Sequence, residues 1–182
     1  MMEMHRDVER IMLTKEEIAG RVKELAEKLD QDYEGKTPLF VCILKGSTVF
    51  FSDLIREMKS SLTIDFMAVS SYGKGTKSTG ALNLKKDLTV DIKGRDVVIV
   101  EDIIDSGNTL YHLKNLLSLR EPSSLKIVTL LDKPERREVE MQPDYTGFVI
   151  EDEFVIGYGL DYAEEYRNLP YVGVLKRSVY EN

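Results

Sequence analysis

Three uninterrupted apolar runs constrain this chain more than any other feature: PLFVCIL at 38–44, DVVIVED at 96–102 and LKIVTLLD at 125–132. A strand with one wet face alternates apolar and polar residues, whereas a run without alternation has to be covered on both faces. The intervening segments supply covers with helical spacing. Thr14-Lys15-Glu16-Glu17 reads as a capping box, with Ile18, Val22, Leu25, Ala26 and Leu29 on one face behind it, ending near Gly35. STVFFSDLIREM (47–58) returns to that spacing with Ser47 as its cap, and 107–119 sets Leu110, Leu113, Leu116 and Leu117 on one face. LTIDFMAVSS (62–71) alternates as a further strand. The rhythm predicts an α/β fold with a parallel core sheet flanked by helices. GFVI, FVIGYG and YVGVL, near the C-terminus, are short and glycine-rich, and are expected to leave that rhythm as a small flap over the sheet's edge.

The 182 residues suit one domain. A net charge of −7 argues against a general nucleic-acid binder, although it leaves room for a local basic pocket. Cys42 is the single cysteine, so no disulfide forms within the chain, and its apolar context predicts a buried core residue. The opening MMEMHRDVER carries no apolar signal segment, and no window reaches the ~18 apolar residues of a membrane span, so a cytoplasmic protein is expected. His5 and His112 are isolated, and no His/Cys spacing suits zinc.

The chemistry concentrates in VVIVEDIIDSGNTL (97–110). In open parallel sheets ligands bind beyond the carboxyl ends of strands, which is where this segment lies. Ser106, Gly107 and Thr109 are small or hydroxyl-bearing, and N–H groups at the start of the following helix suit a phosphate monoester. Adjacent carboxylates such as Glu101 and Asp102 suit vicinal hydroxyls or a divalent metal, and Asp105, further round the turn, suits a general base. Together they predict a sugar phosphate, with its phosphate on the turn and its ribose on the acids. LKGST has the wrong residue order for a P-loop, and Gly73-Lys74-Gly75 lacks the third glycine of a dinucleotide fingerprint. A receiver domain would carry its acidic pair after the first strand. The stretch 71–86 has three glycines, four lysines and no acid, which reads equally as a surface hairpin or as a cationic lid.

The segment 97–110 resembles the signature of type I phosphoribosyltransferases: apolar strand, Glu-Asp, two apolar residues, Asp-Ser-Gly, one residue, Thr. ILKGSTVFFSDL (43–54), SSYGKGTKSTG (70–80), LLDKPERR (130–137) and FVIGYGLDYAEEYRNLPYVGVL (154–175) resemble the hypoxanthine-guanine branch, so the similarity runs from about residue 11 to 175. It implies the type I fold in a single domain over 1–182. The core would run over roughly 35–140, with a flexible loop, and a small hood would form from the N-terminal segment and roughly 141–170.

The implied activity is purine salvage, forming IMP or GMP from phosphoribosyl pyrophosphate (PRPP) with magnesium. By the same resemblance, Glu101, Asp102, Asp105, Ser106, Gly107, Asn108 and Thr109 hold the ribose phosphate, and Asp105 takes the proton from purine N7. Asn108 stands where some members carry a lysine. Lys45, Gly46 and Arg167 hold pyrophosphate, with a non-proline cis peptide in that first loop, and Ser71 and Tyr72 close over the reaction centre. Lys133, Phe154 and Val155 read the purine; Glu101, Asp102 and Asp161 serve the metal. An ammonium donates to a 6-oxo group and cannot accept from a 6-amino group, so Lys133 favours hypoxanthine and guanine over adenine. The resemblance also implies small-molecule partners and a homodimer or homotetramer. The readings left beside it are a xanthine-accepting enzyme and a PRPP-sensing regulator of the same fold.

Overall fold

The computed structural model describes residues 5–71 and 82–181. In chain order its elements are β1 (Val8–Leu13), α1 (Lys15–Asp32), β2 (Leu39–Leu44), α2 (Thr48–Glu57), β3 (Thr63–Ser71), β4 (Leu82–Lys86), β5 (Asp96–Ile104), α3 (Asn108–Ser118), β6 (Ser124–Asp132), β7 (Tyr145–Val149), β8 (Val155–Ile156), β9 (Val172–Leu175) and α4 (Arg177–Tyr180), with a 3-10 turn at Pro134–Arg136. Six strands form one sheet in the order β4-β3-β2-β5-β6-β7, parallel except for β4. The other three form a small antiparallel sheet, β1-β9-β8.

The apolar runs are covered on both faces, as their lack of alternation requires. Along β2, Phe40 and Cys42 pack into the layer of α1 and α2 with Ile18, Leu29, Phe50 and Leu54. Leu39, Val41 and Ile43 point the other way, into the layer of α3 with Leu110, Leu113 and Leu117. Cys42 is fully buried, and burial raises its thiol pKa. The capping box on α1 closes as expected: Glu17 N–H donates to Thr14 Oγ1 (3.2 Å) and Thr14 N–H to Glu17 Oε2 (2.8 Å). Ser47 sits at the start of α2 but does not cap it; its hydroxyl donates back to the Ile43 carbonyl, tying the loop after β2 to the strand it leaves.

Further expectations differ from the structure. GFVI does not leave the sheet: it belongs to β7, the sixth strand, parallel to β6. The small sheet takes its later strands from Val155–Ile156 and Val172–Leu175. Residues 82–86, read as part of a long connection, form β4 against β3. The N-terminal segment supplies β1, which pairs with β9 and had no strand assigned to it.

Candidate active site

The strand order sets the site. Connections from β2 run outward to β3, while β5, β6 and β7 run the other way, so a crevice opens beyond the carboxyl ends of β2 and β5. Two loops meet there, the one after β2 with Lys45 and Gly46 and the turn after β5 with Asp105 to Asn108. The Leu44–Lys45 peptide is cis. Gly46 lies against Asp102 so closely that a Cβ there would stand 2.8 Å from the carboxylate carbon.

A cleft of about 260 Å³ is lined by Gly46, Glu101, Asp102, Asp105, Ser106, Gly107 and Thr109. Gly107 is left-handed (φ 82°) and ends the turn, and its carbonyl accepts the first helical hydrogen bond, from Tyr111 N–H (2.9 Å). The first N–H groups of α3 therefore have no partner within the helix, an arrangement that suits an anion. Asn108 is turned away: its Nδ2 donates to Glu138 Oε2 (2.6 Å). Glu101 is buried, and burial with Asp102 beside it pushes its carboxyl well above the usual range. Burial also raises Asp102, opposed by the hydrogen bonds it accepts and by Arg167.

A second cleft, about 650 Å³, shares Asp102, Ile103 and Asp105 with the first and adds Lys133, Arg136, Phe154, Val155, Leu160, Asp161 and Tyr180. Lys133 is 7% exposed; its ammonium donates to the Glu153 carbonyl (2.6 Å) and lies 3.6 Å from Asp152 Oδ1. Phe154 is 38% exposed, stacked on Tyr180 (ring centroids 4.8 Å apart) and edge-on to Tyr162. Val155, in β8, is held by its pairing with Val174.

The connection after β6 is fastened to the turn after β5. Lys133 N–H donates to the Ile104 carbonyl (2.9 Å), Arg136 Nε to Asp105 Oδ1 (3.1 Å), Arg137 Nη1 to the Asp105 carbonyl (2.7 Å) and Glu138 N–H to the Ser106 carbonyl (2.9 Å). Arg137 is also ion-paired with Asp132. Arg136, Arg137, Glu138 and Tyr180 were not identified from the sequence. For the first three, in KPERRE, the only signal was a pair of cations after a strand, which is ordinary for a solvated loop.

Arg167 lines a different groove, between α1, α2 and the segment joining β8 to β9. It still reaches toward the cleft: its Nη2 lies 2.9 Å from Asp161 Oδ1 and 3.2 Å from Glu164 Oε2. Lys45 Nζ pairs with the same Glu164 oxygen (2.9 Å). Glu101, Asp102 and Asp161 are not gathered into one cluster; the first two line the smaller cleft, and Asp102 and Asp161 the larger. Ser71 ends β3, and Tyr72 with the rest of the expected closing loop lies outside the described residues.

The fold agrees with what the chain is similar to. It is 52% identical to the hypoxanthine-guanine phosphoribosyltransferase of Streptococcus pneumoniae, over 98% of this chain and 99% of that protein. It is 51% identical to the bifunctional protein TilS/HprT of Listeria monocytogenes, of which it spans only 27% of the length. A crystal structure of a hypoxanthine phosphoribosyltransferase from Staphylococcus aureus superposes with a TM-score of 0.95 at 52% identity, covering 98% of this chain and 97% of that one. The family model of the phosphoribosyl transferase domain matches residues 11–163, and the chain belongs to the phosphoribosyltransferase family.

Proposed function

We propose that this protein salvages purines, moving the phosphoribosyl group of PRPP onto hypoxanthine or guanine to give IMP or GMP and pyrophosphate. The observation that carries the reading is that the two clefts meet at Asp102, Ile103 and Asp105. A phosphate on the 106–109 turn and a purine beside Lys133 and Phe154 are then bridged by a ribose seated on the acids. The names of the full-length relatives support the same reading.

In the reaction the bond from ribose carbon 1 to the pyrophosphate oxygen breaks, and its electron pair leaves with pyrophosphate. A bond from the purine nitrogen to carbon 1 forms. Asp105 takes the purine proton. Glu101 and Asp102, beneath the ribose, stabilise the cationic character it acquires as the leaving group departs. Thr109, Ser106 and the N–H groups around Gly107 and Asn108 anchor the 5′-phosphate. Lys45, the Gly46 N–H and Arg167 hold pyrophosphate. Lys133 donates to the 6-oxo group, Phe154 stacks on the ring and the Val155 backbone reads its edge. Ser71 and Tyr72 belong to the loop that excludes water.

Magnesium fits as an ion carried by the substrate rather than one caged by protein. Among the described residues no three His, Cys, Asp or Glu side chains gather into a metal site. Magnesium commonly keeps several waters and touches one or two carboxylates beside substrate phosphates. Glu101, Asp102 and Asp161 are the acids for it, and the raised Glu101–Asp102 pair is one that a cation stabilises. When bound, the ion neutralises charge developing on pyrophosphate.

A cytoplasmic location and assembly as a homodimer or homotetramer, without nucleic acid or membrane, complete the reading. Among the described residues no helix is long and apolar enough to cross a membrane. The test is a panel of hypoxanthine, guanine, xanthine, adenine and uracil with PRPP and magnesium, following nucleotide formation. Product with hypoxanthine and guanine alone is expected. Product with xanthine widens the pocket, and tight PRPP binding with no product from any base sinks the enzyme reading in favour of a sensor.

A further inference from the structure

The cations assigned to pyrophosphate already share an anion. Lys45 Nζ lies 2.9 Å and Arg167 Nη2 3.2 Å from one oxygen, Oε2 of Glu164. These two side chains come from opposite parts of the chain, the loop after β2 and the segment before β9, so their convergence on one atom is a tertiary feature. The Glu164 backbone is fixed in a left-handed conformation (φ 70°), with its N–H on Asp161 Oδ2 (2.9 Å). Its carboxylate, by contrast, stands 66% exposed beside a Lys45 that is 67% exposed. Arg167 is more enclosed; its Nη1 is committed to the Gly159 carbonyl (2.9 Å), and its Nε is buried with no hydrogen-bond partner among the described residues. Its partners on both sides are cations, and the Glu164 carboxylate is their shared acceptor.

We propose that Glu164 is a built-in place-holder for pyrophosphate, whose carboxylate occupies the anion position between Lys45 and Arg167 and yields only to a ligand of higher charge. The proposal rests on the reading of those two cations as pyrophosphate ligands. An exposed ion pair is weak, so the carboxylate is readily displaced. Inorganic phosphate gains little by replacing one anion with another. Pyrophosphate brings more charge and more acceptor oxygens, and so repays the exchange. Displacing the carboxylate costs either anion the same, so Glu164 weakens phosphate and pyrophosphate alike and leaves the subsite to the anion with charge to spare.

The experiment is calorimetric titration of the full chain with pyrophosphate and with inorganic phosphate, in magnesium buffer at low and high salt, for the parent protein, Glu164→Gln and Glu164→Asp. Removing a competing exposed pair is worth at most ~1 kcal/mol, which is about fivefold in affinity. Glu164→Gln is therefore expected to bind both anions more tightly, each by a similar factor of up to about fivefold, with the gain shrinking at high salt. Glu164→Asp, which keeps the charge, is expected to stay near the parent. If Glu164→Gln binds neither anion more tightly while the parent binds pyrophosphate, the place-holder is refuted and the subsite stands. Equal gains in the Gln and Asp variants likewise refute it, since loop geometry would then be responsible. If the parent binds no pyrophosphate, the reading of Lys45 and Arg167 fails beneath it.

Discussion

Gly46→Ala tests whether the loop after β2 and the acids of β5 are built to one another's surface. The new methyl carbon would lie 2.8 Å from Asp102 Cγ and closer still to Oδ2. Carbon atoms in good contact are ~3.5–4.0 Å apart and Oδ2 stands closer than Cγ, so the carboxylate has to retreat by more than about 1 Å. Asp102 is not free to do so at no cost, because its Oδ1 accepts the Ile103 N–H (2.8 Å). Overpacking costs ~1–3 kcal/mol, and a hydrogen bond to a charged group contributes ~1.5–3; since one movement accounts for both, about 2 kcal/mol is the working figure. For a chain of this length that lowers Tm by about 4–8 °C. The displaced carboxylate is also a proposed ribose ligand, so KM for PRPP should rise about tenfold or more while KM for hypoxanthine changes little. Gly20→Ala is the control. It lies in the middle of α1 with nothing within 4 Å of its Cβ position, and the same substitution there should stabilise by ~0.5–1 kcal/mol. Thermal melts and steady-state kinetics on both variants decide the matter. A Gly46→Ala protein that melts within a degree of the parent with an unchanged KM for PRPP would refute the argument.

Asp105→Asn should lower kcat by about 10²–10⁴ with little loss of PRPP binding, measured by turnover and titration; undiminished turnover removes Asp105 as the base. Lys133→Met keeps the bulk of the stem but deletes a charged donor, so kcat/KM for hypoxanthine should fall ~10- to 150-fold and selectivity over adenine should narrow; an unchanged ratio of the two bases means that Lys133 does not read the ring. Asp87 accepts two hydrogen bonds from Arg120 (2.8 and 2.8 Å), which first among its causes lowers its pKa. That stabilisation is present above the ordinary aspartate value of ~3.9 and is lost as pH falls through the depressed one. Asp87→Asn should therefore cost ~0.5–1 kcal/mol near pH 7, a figure limited by solvent screening, and nothing at about pH 2; melting curves that differ equally at both would point away from the ion pair.

What the sequence disclosed follows from where its signals are local. The three apolar runs, the capping box at Thr14 and the turn at 105–109 each announce themselves within a few residues, and all three runs became central strands. β1, β4 and β7 were missed or misplaced because their partners are distant in the chain or their pattern is ambiguous. VERIML gains its strand only by pairing with β9, and TGFV extends the parallel sheet because β6 offers it an edge. In the site, Glu101, Asp102 and Asp105 were legible as a motif. Arg136, Arg137 and Glu164 were not, because each acquires its significance from a partner 31 to 119 residues away, with nothing local to distinguish it from a solvated charge.

The small sheet joins the two ends of the described chain, since β1 pairs with β9 and β9 alone links it to β8. On the ribosome this imposes an order of events. Every strand of the large sheet has been synthesised by Val149, and the turn at 105–109 with its fastening at 133–138 can form then. β1, made first, has no partner until Val172–Leu175 emerges, and Phe154 gains its stacking partner Tyr180 only after that. Among the described residues, the wall proposed to receive the base is therefore completed after the turn proposed to hold the phosphate, and a nascent chain forms the two in that order.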